Sequence, residues 1–461
     1  MLGKARFLFP LFPLVFACSS ESPAPPPEPP VWTDAPTSID VYEGRATDVP
    51  FSIKGDPKTA HLEPTAEGAL EVEVIADEAP STDGLVRGKL RVRAGYKLAD
   101  LKLTVDVVAG AQKTTVPIAL KTHALKWKKH SWAEGAGPPA LEHGTFIFDA
   151  ETSSAFLLHG SGYKPQWKPV EESWKLESID GAPRWSAWQP AGEAVPGGAA
   201  RRVATVPEKK IAYVHGGYTG FQDTETTVGD LYRVDLADPS KTITKINGGD
   251  PASTARSLHA LAYDPTGDQL VVFGGVTEIP FQMILDDTWL VKVDGDSAAW
   301  TPLESKKKPD GRYGAFTAFD AESRRFIVWS GARTPESGDD LVNAAQDAWA
   351  LDLAAEPPVW TKVEFEGPTP PGRRNGCAMH DPIGRRLFVF GGTKNGRTTE
   401  HGLWVLSLEP GREKWTKLDI AGAPPPRSSG FGFTMPDGAV ACGFGNDDKA
   451  YADVNLLGYF D

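Results

Sequence analysis

The feature that most constrains the fold is an apolar run that ends in small residues and recurs six times after residue 125. The copies are residues 156–160, 211–217, 270–275, 326–331, 387–392 and 439–443. A unit of this size cannot bury both faces of its sheet alone, so neighbouring units must stack against one another. Because each copy reads as short β-strands bounded by glycines, the repeat predicts an all-β fold whose copies close into a ring.

Three further positions recur with the apolar run. An acidic residue stands two places before an aromatic residue, in Glu172/Trp174, Asp230/Tyr232, Asp287/Trp289, Asp347/Trp349 and, imperfectly, in Gly402/Trp404 and Asp453/Asn455. A later strand carries Trp185, Trp300, Trp360 or Trp415, with Ile243 in the second copy. The strand before the glycines opens with Arg201, Arg256, Arg312, Arg373 or Arg427, and with Leu141 in the first copy.

A Gly-Gly after an apolar strand, followed by an aromatic residue and then a tryptophan, resembles the kelch repeat of the galactose oxidase and kelch-like propellers. The resemblance covers residues 125–461. It implies a β-propeller with four strands in each blade, and six copies imply six blades.

The two ends of the repeat region predict how the ring closes. The sixth copy has strands at residues 430–435, 439–442 and 454–460 but lacks the outer strand with a tryptophan. Residues 125–132, just before the first copy, carry that missing pattern. We therefore expect the start of the propeller to supply the outermost strand of the last blade, which favours six blades over seven.

Residues 31–124 show a different pattern, in which apolar and polar residues alternate in six or seven short segments separated by Gly, Pro and Asp. This alternation indicates strands with one face in a core and the other in water. The segment is therefore predicted to be a small immunoglobulin-like β-sandwich, on pattern alone, and to serve as a spacer.

The N-terminus has the features of an export signal. Lys4 and Arg6 precede an apolar stretch at residues 7–17, which is too short to span a bilayer. Residues 15–18 resemble a lipobox, which implies removal of residues 1–17 and lipidation of Cys18. A Ser/Pro-rich tether at residues 18–30 supports this over an ordinary signal with a chance cysteine. Ser19 after the cysteine suggests an outer-membrane lipoprotein, on the periplasmic face or at the cell surface.

The formal net charge of -13 argues against a nucleic-acid partner, because phosphate binding needs clustered Lys and Arg. The expected partners are instead the membrane, through the acyl chains, and a protein or glycan ligand. No P-loop, HExxH motif or Ser-His-Asp order is present, and neither a cofactor nor a metal is expected.

Binding function is expected on the face that carries the longest, least repetitive loops. The five recurring arginines, Arg201, Arg256, Arg312, Arg373 and Arg427, open their strands on this face and could form a cationic funnel for an anion. Alternatively they pack their stems and bond the backbone or acids of the adjacent blade. The recurring aspartates are interpreted as turn residues that bond local amides.

Aromatic residues on two of these loops are candidates for stacking on a sugar. They are Tyr163 and Trp167 on one loop and Tyr218 and Phe221 on the other. The alternative is that they only cover the rim of the propeller. Cys377 and Cys442 lie in neighbouring blades and form either a disulfide or two buried small residues.

A propeller fold does not by itself separate a binding protein from an enzyme. We expect a lipid-anchored envelope protein that presents its propeller to a glycan or protein partner. The alternative is a mutarotase-, epimerase- or lyase-like enzyme acting on anionic sugars, because periplasmic six-bladed kelch mutarotases of sialic acid are similar in size and blade number. No residue can be placed as their catalytic acid, and the copper site of galactose-oxidase-like enzymes has no matching Tyr and Cys spacing. The binding interpretation is therefore favoured.

Overall fold

The computed structural model describes residues 28–77, 83–162, 169–179, 181–220, 226–247, 255–277, 283–333, 344–394 and 399–460. The signal segment, Cys18 and most of the tether lie outside these ranges. Almost all regular structure in them is β-strand, with one short 3₁₀ helix at Pro207–Lys209. No helix in the described part of the chain is long and apolar enough to cross a membrane.

The N-terminal part is a sandwich of two four-stranded sheets. Its strands are β1 Val31–Trp32, β2 Ser38–Tyr42, β3 Ala46–Lys54, β4 His61–Glu67, β5 Leu70–Ala76, β6 Leu85–Ala94, β7 Lys102–Ala109 and β8 Gln112–His123. The sheet orders are β1-β3-β6-β5 and β2-β8-β7-β4. Inward residues of both sheets, such as Ile53, Val92 and Val105, share one core. The immunoglobulin-like relationship of this sandwich stays a prediction.

The remaining described residues form six four-stranded antiparallel sheets, which we number blades 1 to 6. Blades 1 to 3 consist of β11 Phe146–Asp149, β12 Ser154–Leu157, β15 Ser173–Glu177 and β16 Arg184–Trp188; β18 Arg202–Val206, β19 Ile211–His215, β22 Leu231–Asp235 and β23 Ile243–Lys245; and β24 Ala260–Asp264, β25 Gln269–Phe273, β28 Thr288–Asp294 and β29 Ser297–Pro302. Blades 4 to 6 consist of β30 Phe316–Asp320, β31 Arg325–Trp329, β32 Ala348–Asp352 and β33 Val359–Val363; β34 Cys377–Asp381, β35 Arg386–Phe390, β36 Leu403–Ser407 and β37 Trp415–Leu418; and β38 Phe431–Thr434, β39 Val440–Gly443, β40 Asp453–Gly458 and β9 Lys126–Ser131.

The ring is closed by strand exchange between the two ends of the propeller. Strand β9 pairs antiparallel with β40, from Ser131 opposite Asp453 to Lys126 opposite Gly458. The first strands of successive blades contact one another around the ring, including β38 of blade 6 with β11 of blade 1. The expected origin of the outermost strand of the last blade is therefore confirmed.

Short strands lie in the segments that precede the first strand or follow the second strand of some blades. They are β10 Leu141–Glu142, β13 Gly160–Gly162 and β14 Pro169–Val170; β17 Gly198–Ala199, β20 Tyr218–Thr219 and β21 Thr226–Thr227; and β26 Val276–Thr277 and β27 Met283–Ile284. Because strands alternate in direction within a blade, these loops lie on the face from which the first strands start. We call it the loop face. The turns between strands one and two, and between three and four, make up the opposite turn face.

The repeated glycines join neighbouring blades. At Gly217 and Gly275 the backbone has φ of +95° and +100°, a conformation that strains any residue with a Cβ. The N–H of each glycine donates to the carbonyl of the arginine that opens the next blade, with Gly217 N 2.9 Å from Arg256 O. The last such bond runs from Gly445 N to Leu141 O, also 2.9 Å, across the junction of blades 6 and 1.

A continuous ring of backbone hydrogen bonds surrounds the propeller axis on the loop face. One residue just before each first strand takes a left-handed φ between +53° and +62°, and the six are His143, Ala200, Leu258, Gly314, Asn375 and Ser429. Each N–H donates to the carbonyl of the preceding member, over 2.6 to 3.5 Å, and His143 N completes the ring by donating to Ser429 O at 2.8 Å. We call these six residues the collar.

Buried aspartates at the ends of first strands hold adjacent blades together on the turn face. Asp149, Asp264 and Asp320 accept hydrogen bonds from Lys241, Arg324 and Arg385 of the next blade, each with a contact of 2.7 to 2.9 Å. Such pairs are worth most when desolvated and well aligned. We call each pair a latch.

In blade 5 the latch cation comes from the sandwich. Asp381 is fully buried and accepts from Arg45 Nε at 3.0 Å, while the equivalent turn position of blade 6 is Gly438. A Cβ built on Gly438 would lie 2.1 Å from Arg45 Nη2, so the guanidinium occupies the space that a side chain from blade 6 would use. The N-terminal domain thus completes a contact that neighbouring blades make within the ring.

Further contacts tie the sandwich to the turn face. Arg386 donates through Nη1 to Glu43 O at 2.9 Å and through Nη2 to Tyr459 Oη at 2.6 Å. The Tyr459 ring also meets the Tyr42 ring edge to face, with centroids 5.1 Å apart. Along the chain, strand β9 begins directly after the sandwich that forms this interface.

A disulfide joins Cys377 of β34 to Cys442 of β39, with the Cα atoms 5.7 Å apart. Both residues are fully buried, within a cluster that also contains Leu125 and Leu457. Of the two alternatives for these cysteines, the structure has the disulfide. The disulfide links blade 5 to blade 6, whose outermost strand is β9.

Candidate functional site

The first strands of the six blades surround an axial cavity of about 680 Å³. Its wall includes residues from all six blades, from the collar at one end to the turns after the first strands at the other. A cavity of this size is in the range of small-molecule sites. The axial channel is therefore the main candidate for a functional site.

The recurring arginines do not form a cationic funnel. Arg256, Arg312, Arg373 and Arg427 have at most 1 % of their surface exposed, and Arg201 has 3 %. Each donates through Nη1 to the carbonyl just after the second strand of its own blade; in blade 3, Arg256 Nη1 lies 2.9 Å from Gly274 O. The guanidinium groups therefore make their hydrogen bonds inside the blade and do not face a ligand. The predicted anion funnel is wrong, because the recurring arginine occupies a buried structural position in each repeat.

Three of the recurring aspartates, Asp287, Asp347 and Asp453, are the partners of the arginines of their own blades and not turn caps, whereas Asp230 pairs with Lys245. Asp287 receives Arg256 through both Nη atoms at 2.7 and 2.8 Å, and the indole N–H of Trp289 donates to the same carboxylate. Burial disfavours the charge of Asp287, but the hydrogen bond and charge of Arg256 outweigh it and keep the pKa of Asp287 below its ordinary value. The interpretation of these three aspartates as turn residues is wrong, because their carboxylates accept hydrogen bonds from a buried arginine.

In blade 2 the repeat arginine stands at a different backbone position but makes the same hydrogen bond to the carbonyl just after the second strand. Ala199 pairs with Tyr218 as Ser257 pairs with Val276, so Gly198 corresponds to the arginine position of blade 3. Arg201, three residues later, nevertheless donates to Gly216 O at 2.8 Å. This shift changes where the following residue, Arg202, lies in the blade.

Several polar side chains that are not part of the repeat line the cavity near the collar. Arg202 opens β18, and His143 and Asn375 are collar residues of blades 1 and 5. Burial, followed by the charges of Arg202 and Arg374, lowers the pKa of His143 to about 3, so its imidazole is neutral at physiological pH. Burial lowers the pKa of Arg202 to about 10, so its guanidinium stays charged.

Below the collar, one side of the cavity is aromatic. Phe146 of blade 1 stacks on Phe431 of blade 6 with ring centroids 3.4 Å apart, and Phe148 stacks on Phe433 at 5.0 Å. All four residues line the cavity. The channel thus combines a polar end at the collar with an apolar wall.

Two other buried histidines, His215 and His259, belong to the scaffold. His215 Nδ1 and His259 Nε2 lie 3.1 Å apart in the core between blades 2 and 3, and burial keeps the pKa of both rings far below the ordinary value. Among the described residues, no group of three or more His, Cys, Asp or Glu is arranged to hold a metal ion.

Of the four candidate loop aromatics, the structure describes only Tyr218. Tyr218 opens β20 and packs partly against a cluster that contains Val276 and Tyr313. Tyr163, Trp167 and Phe221 lie outside the described residues. The sugar-stacking hypothesis for these loops stays a prediction.

Sequence reasoning missed Arg202 and Asn375. A signal was present, because the repeat arginine is followed by a second arginine only at Arg202 and Arg374. Polar residues that break a repeat do not serve its common packing, and they are the natural places to look for function.

Comparisons with known proteins agree with this geometry. The family model of the KLHDC2/KLHL20/DRC7 Kelch-repeats domain matches residues 259–459. Adagio-like protein 3 of Oryza sativa subsp. japonica is 24% identical over 339 residues, which cover 69% of this chain and 50% of that protein. Adagio protein 3 of Arabidopsis thaliana is 28% identical over 202 residues, covering 43% of this chain and 31% of that protein. This chain thus spans half or less of the length of these relatives.

Among solved structures, that of YjhT superposes with a TM-score of 0.51 at 14% identity, covering 69% of this chain and 95% of YjhT. At this identity the similarity concerns the fold alone. The repeat, the ring of four-stranded sheets and these similarities together identify the C-terminal part of this chain as a kelch-repeat β-propeller.

Proposed function

We propose that this chain is a lipid-anchored protein of the bacterial outer membrane that presents the loop face of its propeller to a protein partner. The observation that carries the proposal is the placement of the sandwich. All its contacts with the propeller named above, including Arg45 with Asp381 and Arg386 with Glu43, lie on the turn face. The loop face, which carries the collar, is the side turned away from the domain that follows the tether.

A protein partner fits the kelch fold, which is consistent with protein–protein interaction. The loops of this face differ from blade to blade and are mounted on a rigid ring, the arrangement in which binding surfaces usually occur. A glycan partner is the second possibility, and the test below separates the two. An enzyme that acts on anionic sugars has less support, because an acid–base reaction needs a positioned acid or base. The only carboxylate among the described cavity-lining residues is that of Glu208, on the turn face.

The proposed anchor makes a direct prediction for Cys18. Without the acyl chains, nothing in the acidic chain would hold it at an anionic lipid surface. In Cys18→Ser, produced in a Gram-negative host, we expect the protein to move from the membrane fraction to the soluble fraction. Fractionation with immunoblotting measures this. An unchanged membrane fraction for the variant would refute the anchor.

Cross-linking from two exposed residues tests the proposed binding face. Met283 on the loop face is 62% exposed, and Ile383 on the turn face is 55% exposed, so they are a matched pair of large apolar residues on opposite faces. A photoreactive amino acid at position 283 is expected to give a discrete cross-linked protein band in the envelope, and one at position 383 is not. A band that shifts after glycosidase treatment indicates a glycan partner. Equal products from both positions, or products only from 383, contradict the proposal.

A further inference from the structure

We propose that the collar of the axial channel binds the carboxylate of an organic acid through Arg202, with His143 and Asn375 as neutral hydrogen-bonding partners. The proposal rests on the proposed function, because it names the chemistry that a ligand or partner would bring to the loop face. It uses three side chains from blades 1, 2 and 5 that line the same cavity and serve no contact of the repeat.

Arg202 presents an open pair of donors to the channel. Its Nε donates to the carbonyl of His259 at 2.9 Å, which fixes the plane of the guanidinium. Its two Nη atoms have no hydrogen-bond partner within the described ranges, and no described carboxylate lies within ion-pair distance. A partly buried charge without an acid beside it favours an incoming anion, and two parallel N–H donors match the two oxygens of a carboxylate.

His143 adds a neutral donor and acceptor close to this charge. Its left-handed backbone places it in the collar, and no hydrogen bond of its ring is formed within the described part of the chain. Because Arg202 and Arg374 both act on its pKa, the ring lies within electrostatic range of two cations. The imidazole therefore stays uncharged and can donate to a bound carboxylate without adding a third positive charge.

Asn375 points to a second feature of the ligand. Its Oδ1 is buried and has no hydrogen-bond partner, which is costly for an acceptor unless a ligand satisfies it. A hydroxyl or N–H beside the carboxylate would supply the missing donor. Sugar acids and the C-terminus of a peptide both carry this combination.

The charge balance favours a carboxylate over a phosphate. Near the collar Arg202 is the one described cavity-lining residue whose two Nη atoms are both without a partner, and the neighbouring histidine is neutral. A phosphate dianion bound there would have charge-assisted hydrogen bonds from one guanidinium only. One carboxylate matches one open guanidinium.

Calorimetry on the full chain in detergent tests the site with two matched probe pairs. D-Glucuronate is compared with D-glucose, and N-acetyl-L-alanine with N-acetyl-L-alaninamide, so that each pair differs mainly in the carboxylate. We expect at least one acid to bind about tenfold or more tightly than its neutral analogue. The pair that shows the difference tells a sugar acid from a peptide terminus.

Variants connect the binding to the collar. Arg202→Gln is expected to abolish the preference for the acid, whereas Arg202→Lys keeps the charge, loses the paired donors and retains a weaker preference. Arg184→Gln is the matched control, because Arg184 is exposed on the outer strand of blade 1 and should leave binding unchanged.

Three results would overturn the site: no binding of either acid, equal binding of acids and neutral analogues, or tighter binding of inorganic phosphate than of either acid. Equal binding by wild type and Arg202→Gln would also exclude it, provided that both give the same circular dichroism spectrum. Since cross-linking at position 283 does not depend on Arg202, the carboxylate site can fail while the proposed binding face stands.

Discussion

Arg45→Ala is expected to destabilise the whole chain by about 3 kcal/mol, although Arg45 lies outside the propeller. The variant removes a buried cation from Asp381, which has no exposed surface and, among the described residues, keeps Arg386 and the Gly384 N–H as its partners. Chemical denaturation of the full chain measures the effect. Arg412→Ala is the control, because Arg412 pairs with Glu71 between the same two domains but both side chains are more than half exposed. Its effect should stay below about 1 kcal/mol.

Gly438→Arg provides a rescue that a general loss of packing would not show. At the corresponding turns, Arg324 and Arg385 have φ of +52° and +47°, so an arginine is compatible with this left-handed position. With Arg45 present, a Cβ at 438 would lie 2.1 Å from its guanidinium, and Gly438→Arg alone should destabilise the chain. In the Arg45→Ala background, the same substitution should recover part of the loss by restoring a latch from blade 6. Additive destabilisation in the double variant would show that the two arginines do not share one site.

The pH dependence of the Arg45 contribution has a definite sign. Burial raises the pKa of Asp381, but Arg386 and Arg45 outweigh it, so the folded-state pKa lies below the ordinary value of 3.8. A depressed carboxyl pKa stabilises the fold above the unfolded pKa, and this contribution is lost as pH falls through the folded value. The stability difference between wild type and Arg45→Ala should therefore be constant above about pH 5 and shrink below pH 4. A difference that grows on acidification would contradict the ion-pair explanation.

Loss of the disulfide is expected to have the second large effect. The bond closes a loop with a sequence separation of 65 residues, for which the chain-entropy model gives about 4 kcal/mol. The double variant Cys377→Ala/Cys442→Ala should therefore unfold at a markedly lower denaturant concentration than oxidised wild type. Because both cysteines are fully buried, the native protein should resist reductant until it unfolds.

Thiol titration supplies the control for the disulfide. Oxidised wild type, unfolded without reductant, should have no free thiol from Cys377 or Cys442, and reduction should bring its stability down to that of the double variant. Two free thiols in the unreduced protein would show that the bond is absent. Stability equal to that of the double variant before reduction would show that the bond adds nothing.

Several features of the fold were accessible from the sequence because they depend on periodicity. The repeated apolar run marks second strands, and the tryptophan pattern of residues 125–132 was enough to assign β9 to the last blade. Strand pairing follows from such patterns because one strand type must occupy one position in every blade. The partners of side chains do not follow in this way. Arg256 and Asp287 recur equally visibly, yet only their geometry shows that they bind each other inside one blade.

The candidate site was less accessible because it consists of departures from the repeat. Arg202 opens the first strand of blade 2 because the repeat arginine before it, Arg201, stands three positions later along the backbone than the arginine of blade 3. Arg45 reaches Asp381 across 336 positions of sequence, and its counterpart in the repeat is a glycine. Such pairings carry no local pattern, since neither residue constrains its own neighbours along the chain.

By itself, then, the amino-acid sequence determined that the chain would form an all-β propeller of kelch repeats, closed by the strand that precedes the first blade. Strand periodicity and blade stacking are local or regularly repeated, and they can be recognised one copy at a time. Only the tertiary structure decided that the repeated arginines are buried, that Arg45 completes the latch of blade 5, and that Arg202 lines the same cavity as His143 and Asn375. These outcomes depend on which side chains a closed ring brings together and which charges it leaves without a partner.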